Sequence, residues 1–336
     1  MLKKSFLFFS FLTASLLLSS YTVNKKQKVL RTVIIDAGHG VMSNGGFNGA
    51  HGSYSYEDEI CMAVAQKLVA QITKDLPDIR IIQTRPGKEI VDLHERARIA
   101  NQNKGDLFVS IHVNAAPAVS HKEFTGNKTV VSYVGKGKKR KKITRLVPQY
   151  RYYTTPNPAK GTETYIWGSH KNEDKIVAIR ENAPMLAEEN YSQKYGDVDP
   201  NSPEFIALSL LKTKQFFRRS ATLAGMVEEE FTGIGRTSRG QQQRQLGIWV
   251  LQATAMPSVL VETGYITNKT EEDYLNSESG QQEIAVCVTN AIKSYSEWLE
   301  KQQAASSQTS IKTVNPEVNY EVLKKFEEHE QQRSSK

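Results

Sequence analysis

Three short apolar segments of this sequence each end in a side chain that could bind a metal or transfer a proton. The side chains are His39, His112 and Glu262. The segments are short and rich in β-branched residues, which predicts strands buried on both faces of a parallel sheet. Sites in open α/β sheets form at the carboxyl ends of such strands. One histidine there could be purely structural, but three such side chains at three strand ends predict one shared site.

A fourth candidate, Glu57, begins an amphipathic segment. Apolar residues recur along it every four positions, at Ile60, Val64, Leu68 and Ile72, and this spacing predicts a helix. A carboxylate in a first helical turn interacts favourably with the helix dipole and can face a site at a strand end. Two histidines and one carboxylate with an open fourth position are a common catalytic zinc set. A further carboxylate beside that set can act as general base toward the attacking water.

These residues stand in short motifs that resemble the zinc-dependent N-acetylmuramoyl-L-alanine amidases of bacterial cell walls. Each motif alone is weak, but together they follow the order of that family over residues 31–299. The motifs are Ile35–Gly40, Gly49 and Ala50 with Glu57, Thr84 and Arg85, Leu93 with Arg96, Ala100 and Asn101, Ser110–Asn114, Gly161–Thr164, Arg239 and Gly240, and Val261–Asn268. Val41 stands where the family often has glycine, which puts no ligand in doubt.

The resemblance implies a reaction and assigns roles to residues. It implies that His39, Glu57 and His112 bind Zn²⁺ and that Glu262 is the catalytic carboxylate. Glu59 is the second candidate for the carboxylate ligand, although it lies on a different face of the predicted helix from Glu57. The implied reaction is hydrolysis of the amide between N-acetylmuramic acid and L-alanine in peptidoglycan, in cell-wall remodelling or daughter-cell separation.

Strands alternate with helices along the chain, which predicts an α/β fold around a mostly parallel sheet. The resemblance further implies a single domain with a twisted sheet of about six strands flanked by helices, plus a helical insertion. The expected strands are 79–83, 162–167, 248–251 and 258–261, and the expected helices are 91–103, 175–190, 203–231 and 281–299. In helix 91–103 we expect Leu93 and Ala97 to face inward and Arg96 to be a structural ion-pair or capping residue.

The ends of the chain and its insertions differ from the predicted catalytic domain, residues 30–300. Residues 1–20 combine an early positive charge with an apolar stretch, which predicts a signal peptide and export to the periplasm or cell envelope. Residues 117–160 have little periodicity and predict a basic loop insertion. Residues 170–232 predict a helical insertion, 236–245 a loop, and 301–336 a polar linker, up to about residue 314, followed by a charged tail.

Composition excludes some classes of protein and localises the charge. The chain has 336 residues, of which 24% are charged and 39% hydrophobic, as in ordinary globular proteins. Its net charge of +8 is concentrated in residues 136–151, which hold eight basic and no acidic side chains. Two cysteines, Cys61 and Cys287, are too few for a disulfide framework. Both lie on apolar faces of predicted helices, which favours buried free thiols over a bridge between them.

Residues 178–190 belong to the predicted helical insertion and are rich in glutamate. Some relatives are similar in carrying an inserted helix that covers the zinc site until a partner protein moves it. The resemblance therefore implies autoinhibition relieved by an activator protein, with Glu188 as the candidate zinc contact and Glu181 and Glu189 as weaker ones. The alternative is an ordinary surface helix whose glutamates are solvated.

Three other functions are compatible with parts of this pattern. An exported zinc peptidase could use the same metal set, because activation of water is generic. A non-catalytic peptidoglycan-binding protein would not need Glu262. A nucleic-acid site at residues 136–151 is disfavoured by the predicted export and by the absence of interleaved aromatic residues before Tyr150. Attraction of this segment to anionic wall or membrane components and a solvated basic loop both remain open.

Overall fold

A six-stranded sheet forms the centre of the computed structural model, which describes residues 28–167, 203–243 and 248–312. The strands are β1 (Thr32–Ala37), β2 (Arg80–Gln83), β3 (Leu107–Asn114), β4 (Val119–Val134), β5 (Lys141–Thr155), β6 (Thr162–Ile166), β7 (Ser238–Gln243) and β8 (Ser258–Tyr265). The central sheet has the order β2-β1-β3-β8-β6-β7, while β4 and β5 form a separate two-stranded sheet.

The first four strands of that order run parallel to one another, and β6 runs antiparallel to β8. Strand β7 then pairs in parallel with β6. The predicted α/β class, with a mostly parallel sheet of six strands, is therefore confirmed.

Helices cover both faces of the sheet. They are α1 (Glu57–Asp75), α2 (Leu93–Gln102), α3 (Pro203–Gly233), α4 (Trp249–Ala253), α5 (Lys269–Asn276) and α6 (Glu278–Lys312). On one face, Val33 and Val109 of the sheet share a core with apolar residues of α1, α3 and α6. On the other face, Phe108 and Leu260 pack with Ala100 of α2 and with residues of α4. Because β1, β3 and β8 are buried on both faces, their segments of the sequence are nearly continuous apolar runs.

Several local expectations are confirmed. Helix α1 begins at Glu57, and the strand expected at 79–83 is β2. Helix 91–103 is α2, where Asp92 is the N-cap and its side chain accepts a hydrogen bond from the backbone N–H of His94. Ala97 is buried as expected, but Leu93 is 49% exposed, so its predicted inward position was wrong.

Four other expectations were wrong. Residues 119–155 form a hairpin rather than an irregular loop. Residues 238–243 form edge strand β7 rather than a loop, because backbone pairing with β6 holds this strand although its side chains are polar. Residues 249–253 are helical, because a run of four apolar residues does not distinguish helix from strand. Helix α6 continues to Lys312 through the expected linker, whose Gln and Ala residues are good helix formers.

The part of predicted insertion 170–232 that the structure describes belongs to the core. Helix α3 matches the helix expected at 203–231, and its Leu223, Val227 and Phe231 are fully buried against the sheet. The predicted signal peptide, the predicted helix 175–190 and the predicted charged tail from residue 315 lie outside the described residues. Among the helices that the structure does describe, none is both long and apolar enough to cross a membrane.

Both cysteines are buried and free, as expected. Burial raises the pKa of the Cys61 thiol well above its usual value. Burial also raises the pKa of Cys287 to about 11. Both thiols are therefore protonated at neutral pH and behave as small apolar core side chains.

Arg96 is the structural ion-pair residue that the sequence predicted. Its guanidinium donates to Asp36 at 2.9 Å, and both side chains are almost fully buried. Burial of Asp36 opposes its ionisation, but Arg96 and the hydroxyls of Ser110 and Thr84 outweigh that effect and hold its pKa below the ordinary value. Arg96 also donates to the backbone carbonyls of Ala37 and His39. This ion pair therefore ties α2 to the end of β1.

We expect Asp36→Asn to lower the free energy of unfolding by about 3 to 5 kcal/mol, because it leaves the buried Arg96 charge without a counter-ion. Urea denaturation followed by circular dichroism would measure the change. Glu95→Gln is a matched control, since it removes an exposed ion pair with Arg98 on α2, the helix that carries Arg96. It should leave the urea denaturation midpoint almost unchanged. Equal midpoints for the two variants would contradict the structural role of the buried pair.

Candidate metal centre

His39, Glu57 and His112 converge at the carboxyl edge of the sheet. One potential ligand atom from each lies within 4.8 Å of the other two. Oε1 of Glu57 lies 3.1 Å from Nε2 of His39 and 3.1 Å from Nδ1 of His112. The two imidazole rings meet edge to face, with centroids 4.9 Å apart. One residue from the loop after β1, one from α1 and one from β3 thus form a single cluster, although His39 and His112 are 73 positions apart in the sequence.

The backbone around the cluster brings the rings close together. His39 has φ +60°, in the left-handed region where histidine is among the better tolerated side chains. Gly38 lies against His112, and a Cβ built on it would lie 2.5 Å from the imidazole ring. A Cβ at Gly49 would lie 2.8 Å from both Glu57 and His39. Each glycine therefore leaves space that a ligand side chain occupies.

Hydrogen bonds fix the orientation of these side chains. Nδ1 of His39 lies 2.7 Å from Oδ1 of Asn48. Because an amide oxygen only accepts, Nδ1 carries the proton, so Nε2 is the ring nitrogen available to bind a metal ion. The Glu57 carboxylate accepts backbone N–H bonds from Ala50 at 2.8 Å and from Val113 at 3.1 Å.

The charges of the cluster reinforce one another. Burial of Glu57 opposes its ionisation, but its hydrogen bonds with His112 and His39 outweigh burial and hold its pKa far below the usual value. Burial also disfavours the charged form of His39, but Glu57 outweighs that effect and raises the pKa of His39. Glu57 is therefore an anion at neutral pH, as a carboxylate ligand must be.

This donor set fits a zinc ion. Two imidazole nitrogens and one carboxylate are the donors of many catalytic zinc sites, which keep a further position for water or substrate. Asn48 accepts the hydrogen bond of the His39 nitrogen that would not bind the ion, and such a bond usually orients a metal-binding histidine. Gly38 and Gly49 leave room for the imidazole rings of His112 and His39, because neither glycine has a Cβ that would clash with them. His39, Glu57 and His112 would hold the ion.

Glu262 faces the same cavity. It pairs in register with His112 across β3 and β8, and opposed residues of paired strands point to the same face. The cavity has a volume of about 910 Å³ and is lined by His39, Glu57, His112, Glu262 and neighbouring residues. Glu262 is buried and lies on a central strand, so its position relative to the histidines is fixed by the sheet.

A second carboxylate, Glu163, lies opposite Glu262 on β6. It accepts a hydrogen bond from the Tyr265 hydroxyl at 2.7 Å and pairs with the Arg239 guanidinium. Burial opposes the ionisation of Glu163, but the hydroxyls of Tyr165 and Tyr265 and the guanidinium of Arg239 outweigh burial and lower its pKa. Glu163 is therefore an anion with four partners, since Asn114 also donates to it at 3.3 Å, and it lies in a cleft lined by Asn114 and Lys160.

The second sequence candidate for the carboxylate ligand, Glu59, is exposed, whereas Glu57 is buried. Glu188, with Glu181 and Glu189, lies outside the described residues.

The sequence analysis missed Asn48. The only signal was its position immediately before Gly49 in the loop that leads to Glu57.

We expect Asn48→Ala to weaken zinc binding or activity by about 10- to 100-fold, because it removes the partner that fixes the tautomer of His39. Competition with a chromogenic chelator would measure zinc affinity. Asn44→Ala, an exposed asparagine of the same loop, is the control and should bind zinc like the parent. Equal affinities in the two variants would refute the role of Asn48.

Comparison with known proteins gives one family. Residues 33–294 match the family model described as N-acetylmuramoyl-L-alanine amidase. The chain is 28% identical over 280 residues to N-acetylmuramoyl-L-alanine amidase AmiA of Salmonella typhimurium, covering 83% of this chain and 81% of the relative. It is 27% identical over 282 residues to AmiA of Escherichia coli, covering 84% and 82%. A solved amidase structure from Clostridium difficile 630 has 22% identity and a TM-score of 0.49, covering 79% of this chain and 96% of that one.

Proposed function

This chain belongs to the N-acetylmuramoyl-L-alanine amidase family, and we propose that it is a zinc enzyme that hydrolyses the amide between N-acetylmuramic acid and L-alanine in peptidoglycan. The observation that carries this proposal is the cluster of His39, Glu57 and His112, which shares one cavity with Glu262. The match to the family model, which spans all four residues, supports the same reaction.

The chain's own residues account for the protein's share of the chemistry. A zinc ion bound by this cluster would polarise the amide carbonyl and acidify water. Glu262 accepts the proton of the attacking water and then delivers it to the departing amine of L-alanine. Its place on buried strand β8 keeps the carboxylate in one position during both transfers. Glu57 stays ionised throughout, because its pKa is far below neutral pH.

The site of action and the control of the enzyme are parts of the same proposal. A peptidoglycan substrate and the predicted signal peptide together support a location in the periplasm or cell envelope. Control by a covering helix with Glu188, relieved by an activator protein, remains a prediction about residues outside the described ones. Glu188→Ala would raise activity without a partner if the helix inhibits, and would leave activity unchanged if the helix is scaffold.

Digestion of purified peptidoglycan by the mature protein tests this function. We expect release of peptide stems that carry a new free L-alanine amine, loss of activity after chelation, and recovery on addition of Zn²⁺. Amine labelling and mass spectrometry of the soluble fraction would identify the stems. A cut inside the stem would instead indicate a peptidase, and binding without any release would indicate a non-catalytic peptidoglycan-binding protein.

A further inference from the structure

The hairpin of β4 and β5 stands apart from the rest of the described fold. Its strands are 16 and 15 residues long and pair along their whole length. Neither strand packs extensively against any other helix or strand within residues 28–167, 203–243 and 248–312. Isolated two-stranded ribbons are at best marginally stable in water, and a third strand or a packed helix is normally needed to stabilise them. A binding partner that covers one face would therefore stabilise a ribbon of this length, whose two faces both lie in solvent.

The hairpin carries the net charge of the whole protein. Residues 119–155 contain ten lysines and arginines and one acidic residue, Glu123, so their net charge of +9 exceeds the +8 of the full chain. Most of these side chains lie at or near the tip, in residues 136–142, all of which are exposed. Such a concentration of positive charge attracts an anionic partner.

The same hairpin exposes many large apolar and aromatic side chains. Tyr152 is 70% exposed and Leu146 is 68% exposed. Nine other large apolar or aromatic side chains of the hairpin have more than a third of their surface in solvent, among them Phe124, Val131, Tyr133 and Val134. Contiguous exposed apolar surface on a folded protein marks a site of interaction with a protein or a membrane.

Cations and apolar groups are mixed on both faces of the hairpin. Val130 lies opposite Arg145, and Tyr133 lies opposite Lys142. These two pairs are three positions apart along the strand, so they point to opposite faces. The Arg140 guanidinium lies 4.7 Å from the centroid of the Tyr133 ring. The partner must therefore accept positive charge and apolar contact at the same place.

We propose that this hairpin binds the surface of an anionic lipid membrane. Lysine and arginine are attracted to the phosphates of anionic lipids. Tyrosine sits favourably at the level of the headgroups, and valine and leucine reach the boundary of the acyl chains. A soluble polyanion such as a nucleic acid would satisfy the charges but leave Val131 and Leu146 in water. The hairpin would thus hold the enzyme at the membrane side of its substrate, independently of the catalytic site.

Co-sedimentation of the mature chain, without the predicted signal sequence, with lipid vesicles tests this proposal. The probes are vesicles of phosphatidylcholine alone and vesicles with phosphatidylglycerol added. We expect binding only to the anionic vesicles, and we expect it to weaken as salt rises. Replacing four hairpin lysines by glutamine should weaken that binding by at least about tenfold; the substitutions are Lys138→Gln, Lys139→Gln, Lys141→Gln and Lys142→Gln.

Two further variants make the test specific. A control replaces four exposed lysines outside the hairpin and should bind like the parent; its substitutions are Lys74→Gln, Lys88→Gln, Lys293→Gln and Lys301→Gln. A second hairpin variant keeps every charge and removes apolar contact from one face; its substitutions are Val131→Ser, Tyr133→Ser and Leu146→Ser. We expect this variant also to bind more weakly, and thermal unfolding would show that each variant is folded.

Three results would overturn the proposal. One is the absence of binding to anionic vesicles by the parent chain. Another is unchanged binding of either hairpin variant. The third is hairpin-dependent binding to soluble polyphosphate or single-stranded nucleic acid together with no binding to anionic vesicles. Because the assay does not measure hydrolysis, its failure would leave the proposed amidase activity intact.

Discussion

Replacing His112 with alanine should remove zinc and hydrolytic activity together. The substitution takes away one of three donor side chains and leaves His39 and Glu57, which are too few for a stable catalytic zinc site. The loss of zinc affinity and activity should exceed the roughly 10- to 100-fold that follows from removing a residue that only hydrogen-bonds to a metal ligand. Metal analysis of the dialysed protein and a peptidoglycan release assay would measure the two quantities on one sample.

His121→Ala is the matched control for this variant. His121 lies on the hairpin and bonds to Thr155, so its loss should leave one zinc per chain and the parent activity on a soluble muropeptide. If the His112 variant kept stoichiometric zinc, the assignment of the three ligands would be wrong.

The second large effect is expected at Glu262. Glu262→Gln should fold and bind zinc like the parent but lose about two to four orders of magnitude in turnover, because glutamine cannot accept the proton of the attacking water. Glutamine has nearly the same shape as glutamate, so altered packing would not explain the loss. Steady-state kinetics on a soluble muropeptide, with zinc content measured in parallel, would separate catalysis from metal binding.

Glu59→Gln provides the comparison. It also neutralises one carboxylate, and Glu59 is exposed on the helix that begins at Glu57. We expect its activity to stay within a few-fold of the parent. Activity of the Glu262 variant in that same range would refute the role of Glu262 as general base.

The part of the fold that positions the site was predictable from sequence. Strands β1, β3 and β8 are buried on both faces, so each appears as an apolar run with a polar residue at or near its end. The periodicity of α1 likewise indicated where Glu57 begins a helix. Since parallel strands end at the same edge of a sheet, these signals were enough to bring His39, Glu57 and His112 together.

Other parts carried no such signal. The β4–β5 hairpin lies in solvent on both faces, so its side chains show no alternation between apolar and polar residues, and the sequence predicts a loop there. Strand β7 is held at the sheet edge by backbone hydrogen bonds, which its polar side chains do not reveal. Asn48 acts through a contact that depends on how the loop after β1 folds back, and spacing in the sequence does not encode that path.

The most direct test of the proposed function is to identify the bond that the enzyme cleaves. A purified muropeptide, N-acetylmuramic acid linked through L-alanine to its peptide stem, would be hydrolysed by the zinc-loaded mature protein in heavy-oxygen water. Mass spectrometry of both products should find the heavy oxygen in the new carboxylate of the muramic acid product, and an unlabelled peptide with a free L-alanine amine. Heavy oxygen in a new carboxylate within the peptide, with L-alanine still attached to the sugar, would contradict the account.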